Sequence, residues 1–292
     1  MSTKLDIYTT KRRGRIKNML FTSACFLATI TCVLMLMVLI WNIIVQGKDW
    51  LSWGFIDHLP SRFPHKAGIK SALWGSIWLI SLTAMFSVPL GVGAAVYLEE
   101  YAPRSRWRKL IQLNIANLAG VPSIVYGILG LGLFVRALSL ERSVLSGALT
   151  LTLVVLPIII LASQEALRAV PDSIRRSAYA LGATRWQTVW YQVLPASLPG
   201  IMTGVILSLS RALGEAAPLI AVGAMAYVPF VPEKLTDEFT ALPIQIFNWT
   251  SRPQEDFHHL AAAGILVLLV VLVSMNAIAI FVRHKYGKKI RW

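Results

Sequence analysis

Two residues of opposite charge lie within one long apolar stretch, where ionisable side chains are costly and are therefore candidates for a function. Arg211 and Glu215 are four residues apart in the segment SRALGE, so a helix would place them on one face, where they can pair. An arginine in the middle of a membrane span costs roughly 2.5–3.5 kcal/mol on insertion scales. Its planar fork of N–H donors suits a tetrahedral oxyanion, so anion binding is one function that this residue type can serve.

The sequence leaves two interpretations of this pair open. In the first, Arg211 and Glu215 neutralise each other in a structural contact. In the second, Arg211 faces a translocation path and Glu215 holds the guanidinium group while the path is empty. Ser208 and Ser210 either add hydroxyl donors to the path or hydrogen-bond back to carbonyl groups of their own helix.

The chain that carries this pair is too apolar for an ordinary soluble domain of 292 residues. Hydrophobic residues make up 56% of it, charged residues 14%, and the mean hydropathy is +0.62. The formal net charge of +14 does not indicate nucleic-acid binding, because the Lys and Arg residues lie between and outside the apolar runs. The composition predicts an all-α integral membrane protein.

Six apolar runs are long enough to cross a hydrocarbon core of about 30 Å, which needs about 20 helical residues. The runs are 19–45, 71–98, 110–138, 144–163, 198–226 and 260–282. Most of the 28 Lys and Arg residues fall in the four segments that lie on one side of these spans. The positive-inside rule therefore predicts that both termini are cytoplasmic.

These spans divide the chain. We expect cytoplasmic tails at 1–18 and 283–292, a first span at 19–45, an outer loop at 46–70 and a core of five spans at 71–282. Within the core, 164–197 is an inner loop and 227–259 an outer loop.

The inner loop has the pattern of two short helices joined by a glycine. Asp172 or Ser173 is predicted to cap the first helix, and Gly182 is typical of a left-handed stop. Thr184 is a candidate cap for the second helix, which Pro195 is predicted to close. Such a compact knob suits the groove of a partner protein, although an amphipathic hairpin in the lipid headgroups has the same pattern.

This loop resembles the cytoplasmic loop of binding-protein-dependent ABC importer permeases, whose motif runs E-A-A, three residues, glycine, nine residues, I-x-L-P. Ala178, Gly182 and the run Val193 to Pro195 fall in or near register, whereas Arg176 and Ser177 replace the glutamate and the first alanine. The segments QEALRAVP, GIMTGVILSLSRALGEAAPL and ALPIQIFNW are more specifically similar to phosphate-importer permeases of the Pst system, PstA type. The resemblance covers about residues 70 to 282.

The resemblance implies a type I ABC importer permease fold and ATP-driven import of inorganic phosphate across a bacterial inner membrane. The outer loops would then be periplasmic. The implied partners are a second permease subunit of PstC type, two ATPase subunits of PstB type and an external phosphate-binding protein of PstS type. The implied ATPase-coupling residues are Asp172, Arg175, Arg176, Ser177, Ala178, Tyr179, Leu181, Gly182 and Pro195.

The sequence gives little support for enzymatic activity or for a metal site. No GxxxxGK[ST] motif is present, so ATP and Mg²⁺ are expected on a partner chain, and we expect no cofactor here and no enzymatic activity. The five histidines fall in predicted loops and the C-terminal tail, without ligand spacing for a metal. The alternatives are a permease for sulfate, molybdate or phosphonate, a stand-alone ion-coupled anion carrier or channel, and a membrane-anchored sensor.

Overall fold

Residues 3–287 are described by the computed structural model, which leaves the last five residues of the predicted tail 283–292 outside. Within this range the protein is helical, and its one β-bridge joins Ser143 to Glu238. The helices are α1 Thr3–Gly47, α2 Trp53–Asp57, α3 Lys70–Val96, α4 Arg106–Ala119, α5 Ser123–Gly130, α6 Val144–Arg168, α7 Asp172–Ala180, α8 Arg185–Thr188, α9 Leu194–Gly214, α10 Ala217–Val222, α11 Leu242–Thr250 and α12 Glu255–Gly287.

Three π-helical turns extend these helices without a break in the chain direction. Tyr97–Tyr101 continues α3, Leu131–Ala137 continues α5, and Val189–Val193 joins α8 to α9. The described residues contain five helices long and apolar enough to cross a membrane. The pair α4 and α5 makes a sixth crossing if it is counted as one span, in agreement with the predicted six.

The third predicted span, 110–138, is not one straight helix. α4 and the helix Ser123–Ala137 meet at an angle of 101°, and Gly120 to Pro122 form the break. Proline disfavours the helical conformation of the residue before it, which explains the end of α4. The Tyr126 hydroxyl donates to the Leu118 carbonyl over 2.8 Å and so holds the two halves together.

Helices α3 and α6 run parallel through the centre of the molecule. The Thr83 hydroxyl donates to the Ala148 carbonyl near one end, and Gly91 lies against Ile159 further along. Antiparallel to them, α9 packs on α6 at small residues. A Cβ added to Gly200 would lie 2.8 Å from the Cβ of Ala166, so the two helices approach as closely as glycine allows.

The end of the bundle that carries α2 is covered by a well-packed cap. Trp249 of α11 is 1% exposed and packs on Phe55 of α2 at 5.8 Å between ring centroids. The segment before α11 also closes over α6, because the carbonyl groups of Asp237 and Leu235 accept hydrogen bonds from the first two amides of that helix. The opposite end, which we call the α7 end, carries the inner loop.

Helix α1 stands apart from this bundle. Its apolar stretch has none of its residues buried within the chain. Contact with the bundle is made at Gly47, which lies against the backbone of Ala262 and Ala263 on α12. Apart from its C-terminal end, where it packs on α12, this apolar helix has little protein cover, so lipid or another chain must surround it.

Candidate functional site

The Arg211–Glu215 pair lies at a break in the predicted fifth span. Arg211 is in the last turn of α9, which ends at Gly214, and α10 begins after Ala216. The run 198–226, predicted as one span with Arg211 near its centre, is therefore divided into two helices close to Pro218. Gly214 ends the helix, and Pro218 takes the second position of α10, where a missing N–H costs little.

The two side chains form the expected ion pair. Nε of Arg211 donates to Oε1 of Glu215 over 3.1 Å, while the arginine side chain is 51% exposed and the glutamate side chain 16%. Of the five guanidinium N–H groups, only the one on Nε has a hydrogen-bond acceptor within the described residues. The arginine also faces the carbonyl end of α9, where the helix dipole favours a cation.

Both nearby serines donate their hydroxyl protons to carbonyl groups of their own helix. The Ser208 hydroxyl is buried and donates to the Gly204 carbonyl over 2.8 Å. The Ser210 hydroxyl donates to the Ile206 carbonyl over 2.7 Å and also lies 2.5 Å from Oδ1 of Asn276 on α12. The back-bonded arrangement is thus the one present, and Ser210 helps to join α9 to α12.

The inner loop folds as two helices around a glycine turn. Gly182 has a φ of +84°, the left-handed conformation predicted for it, and its amide donates to the Tyr179 carbonyl. Thr184 caps α8 in a capping box with Gln187, as predicted. The predicted cap of α7 is wrong, since Pro171 takes that position and Asp172 is the first helical residue.

The predicted end at Pro195 is also wrong. The helix that starts at Arg185 runs on to Gly214, and Pro195 lies in the first turn of α9. The π-helical turn Val189–Val193 directly precedes α9. It shifts the backbone hydrogen-bond pattern where Pro195 lacks an N–H, so the helix continues through the proline. The inner loop therefore ends as a stiff extension of α9.

The predicted coupling residues divide between two faces of α7 and its turn. Four of them are exposed on the outer face, and Leu181 is 90% exposed. They are Arg176, Ser177, Tyr179 and Leu181. Arg175 turns inward instead, where its side chain is 17% exposed and binds Glu100. The hydrogen bond to Glu100 raises the pKa of Arg175 above its ordinary value, so it stays charged.

Glu99, Glu100 and Arg108 were not among the site residues predicted from the sequence. Glu99 accepts hydrogen bonds from Arg108 over 2.9 Å and from Arg168 over 2.6 Å. The signal that was available is the pair of adjacent acidic residues at the end of the second span, on the side of the membrane where most of the basic residues lie. The bonds from Arg168 and Arg175 join residues 69 and 75 positions apart, which no helical spacing indicates.

One apolar cavity of about 820 Å³ lies between α3, α9 and α12. Its lining includes Val92, Trp190, Met202 and Met275 but neither Arg211 nor Glu215. Such a lining suits an apolar occupant and offers little to an anion. No group of three or more possible metal ligands occurs among the described side chains.

Comparison with known proteins identifies the class to which this bundle belongs. Residues 87–288 match the model for the binding-protein-dependent transport system inner membrane component, and the chain belongs to this family. Two solved structures share the fold, that of type I ABC importer permeases. They are a bacterial alginate ABC transporter (TM-score 0.67, 16% identity, 90% of this chain and 94% of that one) and the MetNI methionine ABC transporter (0.62, 17%, 74% and 94%).

More specific relatives are found in sequence. The phosphate transport system permease protein PstA 1 of Mycobacterium tuberculosis (strain ATCC 25618 / H37Rv) is 32% identical over 278 residues, which cover 93% of this chain and 89% of that protein. PstA of Yersinia pestis is 32% identical over 90% of each chain. A probable ABC transporter permease of Bacillus subtilis, YqgI, is 31% identical over 85% of this chain and 88% of that protein.

Proposed function

We propose that this chain is the transmembrane permease subunit of an ATP-driven importer of inorganic phosphate. The observation that carries the proposal is the similarity to PstA permeases over nearly the whole chain, rather than over one motif. The chain provides part of the translocation path and does not itself hydrolyse ATP. Its place is a bacterial inner membrane, with both termini in the cytoplasm and the cap around α11 outside.

Arg211 is the group proposed to meet the phosphate ion. Four of its N–H groups have no acceptor within the described residues, and its side chain is half-exposed, so an incoming oxyanion has only the bond to Glu215 to displace. While no anion is bound, the carboxylate of Glu215 accepts the hydrogen bond from Nε of Arg211. The anion then exchanges with a weak partner and is not held in a deep trap, which transport requires.

The inner loop from Asp172 to Pro195 is proposed to bind the ATPase. The exposed Leu181, Tyr179 and Arg176 form an apolar tip beside a cationic side chain, which fits a groove with an apolar floor and an acidic rim. Because Val189–Val193 continues without interruption into α9, a displacement of this loop is transmitted along the helix whose last turn holds Arg211. ATP and Mg²⁺ bind to the partner chain.

The proposed complex contains this chain, a second permease subunit of PstC type, two ATPase subunits of PstB type and a periplasmic phosphate-binding protein of PstS type. The apolar and uncovered length of α1 supports assembly with another membrane chain. The outer cap, with its exposed segments on both sides of α11, is the face available to the binding protein.

The test is ATP-dependent uptake of radiolabelled phosphate into proteoliposomes that contain the full complex with its binding protein. We expect uptake that needs ATP and the binding protein, and that sulfate and molybdate in tenfold excess do not reduce. Competition by sulfate would assign another oxyanion. Uptake without ATPase subunits would indicate a stand-alone carrier and would overturn the proposal.

A further inference from the structure

Two adjacent glutamates join the inner loop to the membrane helices. Glu99 and Glu100 lie in the π-helical turn Tyr97–Tyr101 that continues α3 to the α7 end of the bundle. Their side chains are 9% and 8% exposed, so each carboxylate has lost most of its water. Buried carboxylates of this kind are stable only when cationic partners satisfy them.

Glu99 is bound from two elements. Nη2 of Arg108 on α4 donates to Oε2 over 2.9 Å, and Nη2 of Arg168 at the end of α6 donates to Oε1 over 2.6 Å. A weaker contact of 3.4 Å comes from the Gln112 amide. Glu99 therefore fastens α3 to α4 and α6.

Glu100 serves the inner loop instead, because successive residues of a helix point to different sides. Arg175 of α7 donates to Oε1 of Glu100 through Nη2 over 2.7 Å and through Nε over 3.2 Å. The same guanidinium group donates to two carbonyl groups at the end of α6, to Leu167 over 3.0 Å and to Val170 over 2.7 Å. Arg175 therefore bonds α7 to both α3 and α6.

These contacts fix the orientation of α7 relative to the core. The planar guanidinium group makes five hydrogen-bond contacts to Glu100, Leu167 and Val170 in one geometry, whereas a flexible ammonium group would allow rotation. The remaining charged contact of Arg175 is Asp172 on its own helix, at 3.4 Å and 78% exposed, and this pair contributes little. The restraint on α7 therefore depends on Glu100 and the end of α6.

We infer that Glu99 and Glu100 form a positioning junction that makes α7 move together with α3 and α6 when the ATPase moves the inner loop. This inference rests on the proposed function, in which α7 contacts the ATPase. Glu100 and Arg175 act through the helices that they hold together and do not touch phosphate or ATP. Loss of the junction is expected to uncouple ATP hydrolysis from transport rather than to stop hydrolysis.

The first test is the number of phosphate ions imported per ATP hydrolysed by the reconstituted complex. Glu100→Gln keeps the size of the side chain and removes its charge, and we expect the ratio to fall about fivefold or more, the lower end of typical coupling between sites. Arg175→Lys keeps the charge without the fork and should give an intermediate ratio. Arg106→Gln changes an exposed arginine of α4 that has no ion pair among the described side chains, and should keep the wild-type ratio.

The second test measures the position of α7 directly and does not depend on the substrate. Spin labels at Ser173→Cys on α7 and Lys109→Cys on α4, both exposed, are placed in the complex after Cys25 and Cys32 are replaced by serine. Wild type should give one narrow distance distribution with and without ATP. Glu100→Gln should broaden it.

The outcomes separate the two proposals. If Glu100→Gln loses uptake, ATPase activity and bound ATPase subunits in parallel, the role of Glu100 is merely structural. If the transport ratio and the spin-label distance are both unchanged, Glu100 has no role in positioning α7. Either result overturns the junction. If the wild-type complex hydrolyses ATP but moves no phosphate, the proposed function fails, and the spin-label distance still decides whether the junction holds α7.

Discussion

Arg211 owes its properties to its position in the last turn of a helix. The helix dipole stabilises a cation there by about 0.3–1 kcal/mol, and the break after Gly214 leaves the guanidinium group half-exposed. A charge in the middle of an intact, lipid-covered helix would be far more costly. Position therefore explains how the chain keeps the proposed anion-binding group within an apolar stretch without neutralising it completely.

The first prediction concerns Glu215. Glu215→Gln removes the partner that competes with the anion for Arg211, and an exposed pair of this type contributes about 0.3–0.5 kcal/mol, or roughly a factor of two in a binding constant. We expect the KM for phosphate uptake to fall about twofold, and the maximal rate to fall with it because release becomes slower. Initial rates over a range of phosphate concentrations measure both. A raised KM in an intact complex would mean that Glu215 binds on the side of the substrate.

At the scale of elements, close packing of α6 on α9 holds the broken helix in place. A Cβ at Gly204 would collide with Ala162, whereas a Cβ at Gly93 would meet nothing within 4 Å. The second prediction is that Gly204→Ala lowers the thermal stability of the purified complex, since overpacking costs about 1–3 kcal/mol.

Gly93→Ala is the matched control for this helix contact. In a helix interior alanine is favoured over glycine by about 1 kcal/mol, so the control should be neutral or slightly stabilising. Thermal unfolding followed by tryptophan fluorescence measures both variants. Equal melting temperatures would show that α6 and α9 can separate at no cost.

The third prediction concerns the turn of the inner loop. Gly182 has open space around its Cα but a φ of +84°, so Gly182→Ala introduces backbone strain of about 1–2 kcal/mol without a collision. We expect faster protease cleavage between α7 and α8 and weaker retention of the ATPase subunits. Gly182→Asn should preserve most of the wild-type behaviour, because asparagine tolerates this conformation; cleavage as fast as in the alanine variant would contradict the explanation.

Sequence pattern predicted the local features of these elements well. The Gly182 stop and the Thr184 cap depend on residues within four positions of each other, so their chemistry is readable from the chain. The run-through at Pro195 and the helix end at Gly214 were not predicted, because a π-helical turn and the packing of α10 on α5 decide them. Hydropathy cannot distinguish a broken span from an intact one.

The same division holds for the candidate site. Arg211 and Glu215 were found because they are four positions apart, the spacing of one helical turn. The pairing of Arg175 with Glu100 was not found, because 75 residues separate them and their contact is set by the parallel course of α3 and α6. Arg175 also shows that a surface pattern does not tell which arginine of a basic helix faces outward.

The whole molecule places the junction, the inner loop and the basic segments at one end of the bundle and the α11 cap at the other. The fourth prediction follows from this polarity and the positive-inside rule. In whole cells, a membrane-impermeant maleimide should label Ser61→Cys near α2, and should label Ser173→Cys on α7 only after the membrane is opened. Labelling in the reverse order would show that the topology is inverted and would contradict the coupling proposal.

In the proposed transport cycle, phosphate passes Arg211 on a path driven from the inner loop. The most direct measurement is ATP-dependent phosphate uptake by proteoliposomes containing Arg211→Gln, with Arg106→Gln as control and with ATPase activity and subunit assembly followed in parallel. We expect uptake to fall by at least tenfold in Arg211→Gln, about 1.4 kcal/mol of lost interaction or more, while assembly and the control are unchanged. Wild-type uptake in a fully assembled Arg211→Gln complex would show that the Arg211–Glu215 pair is structural and that phosphate uptake does not depend on Arg211.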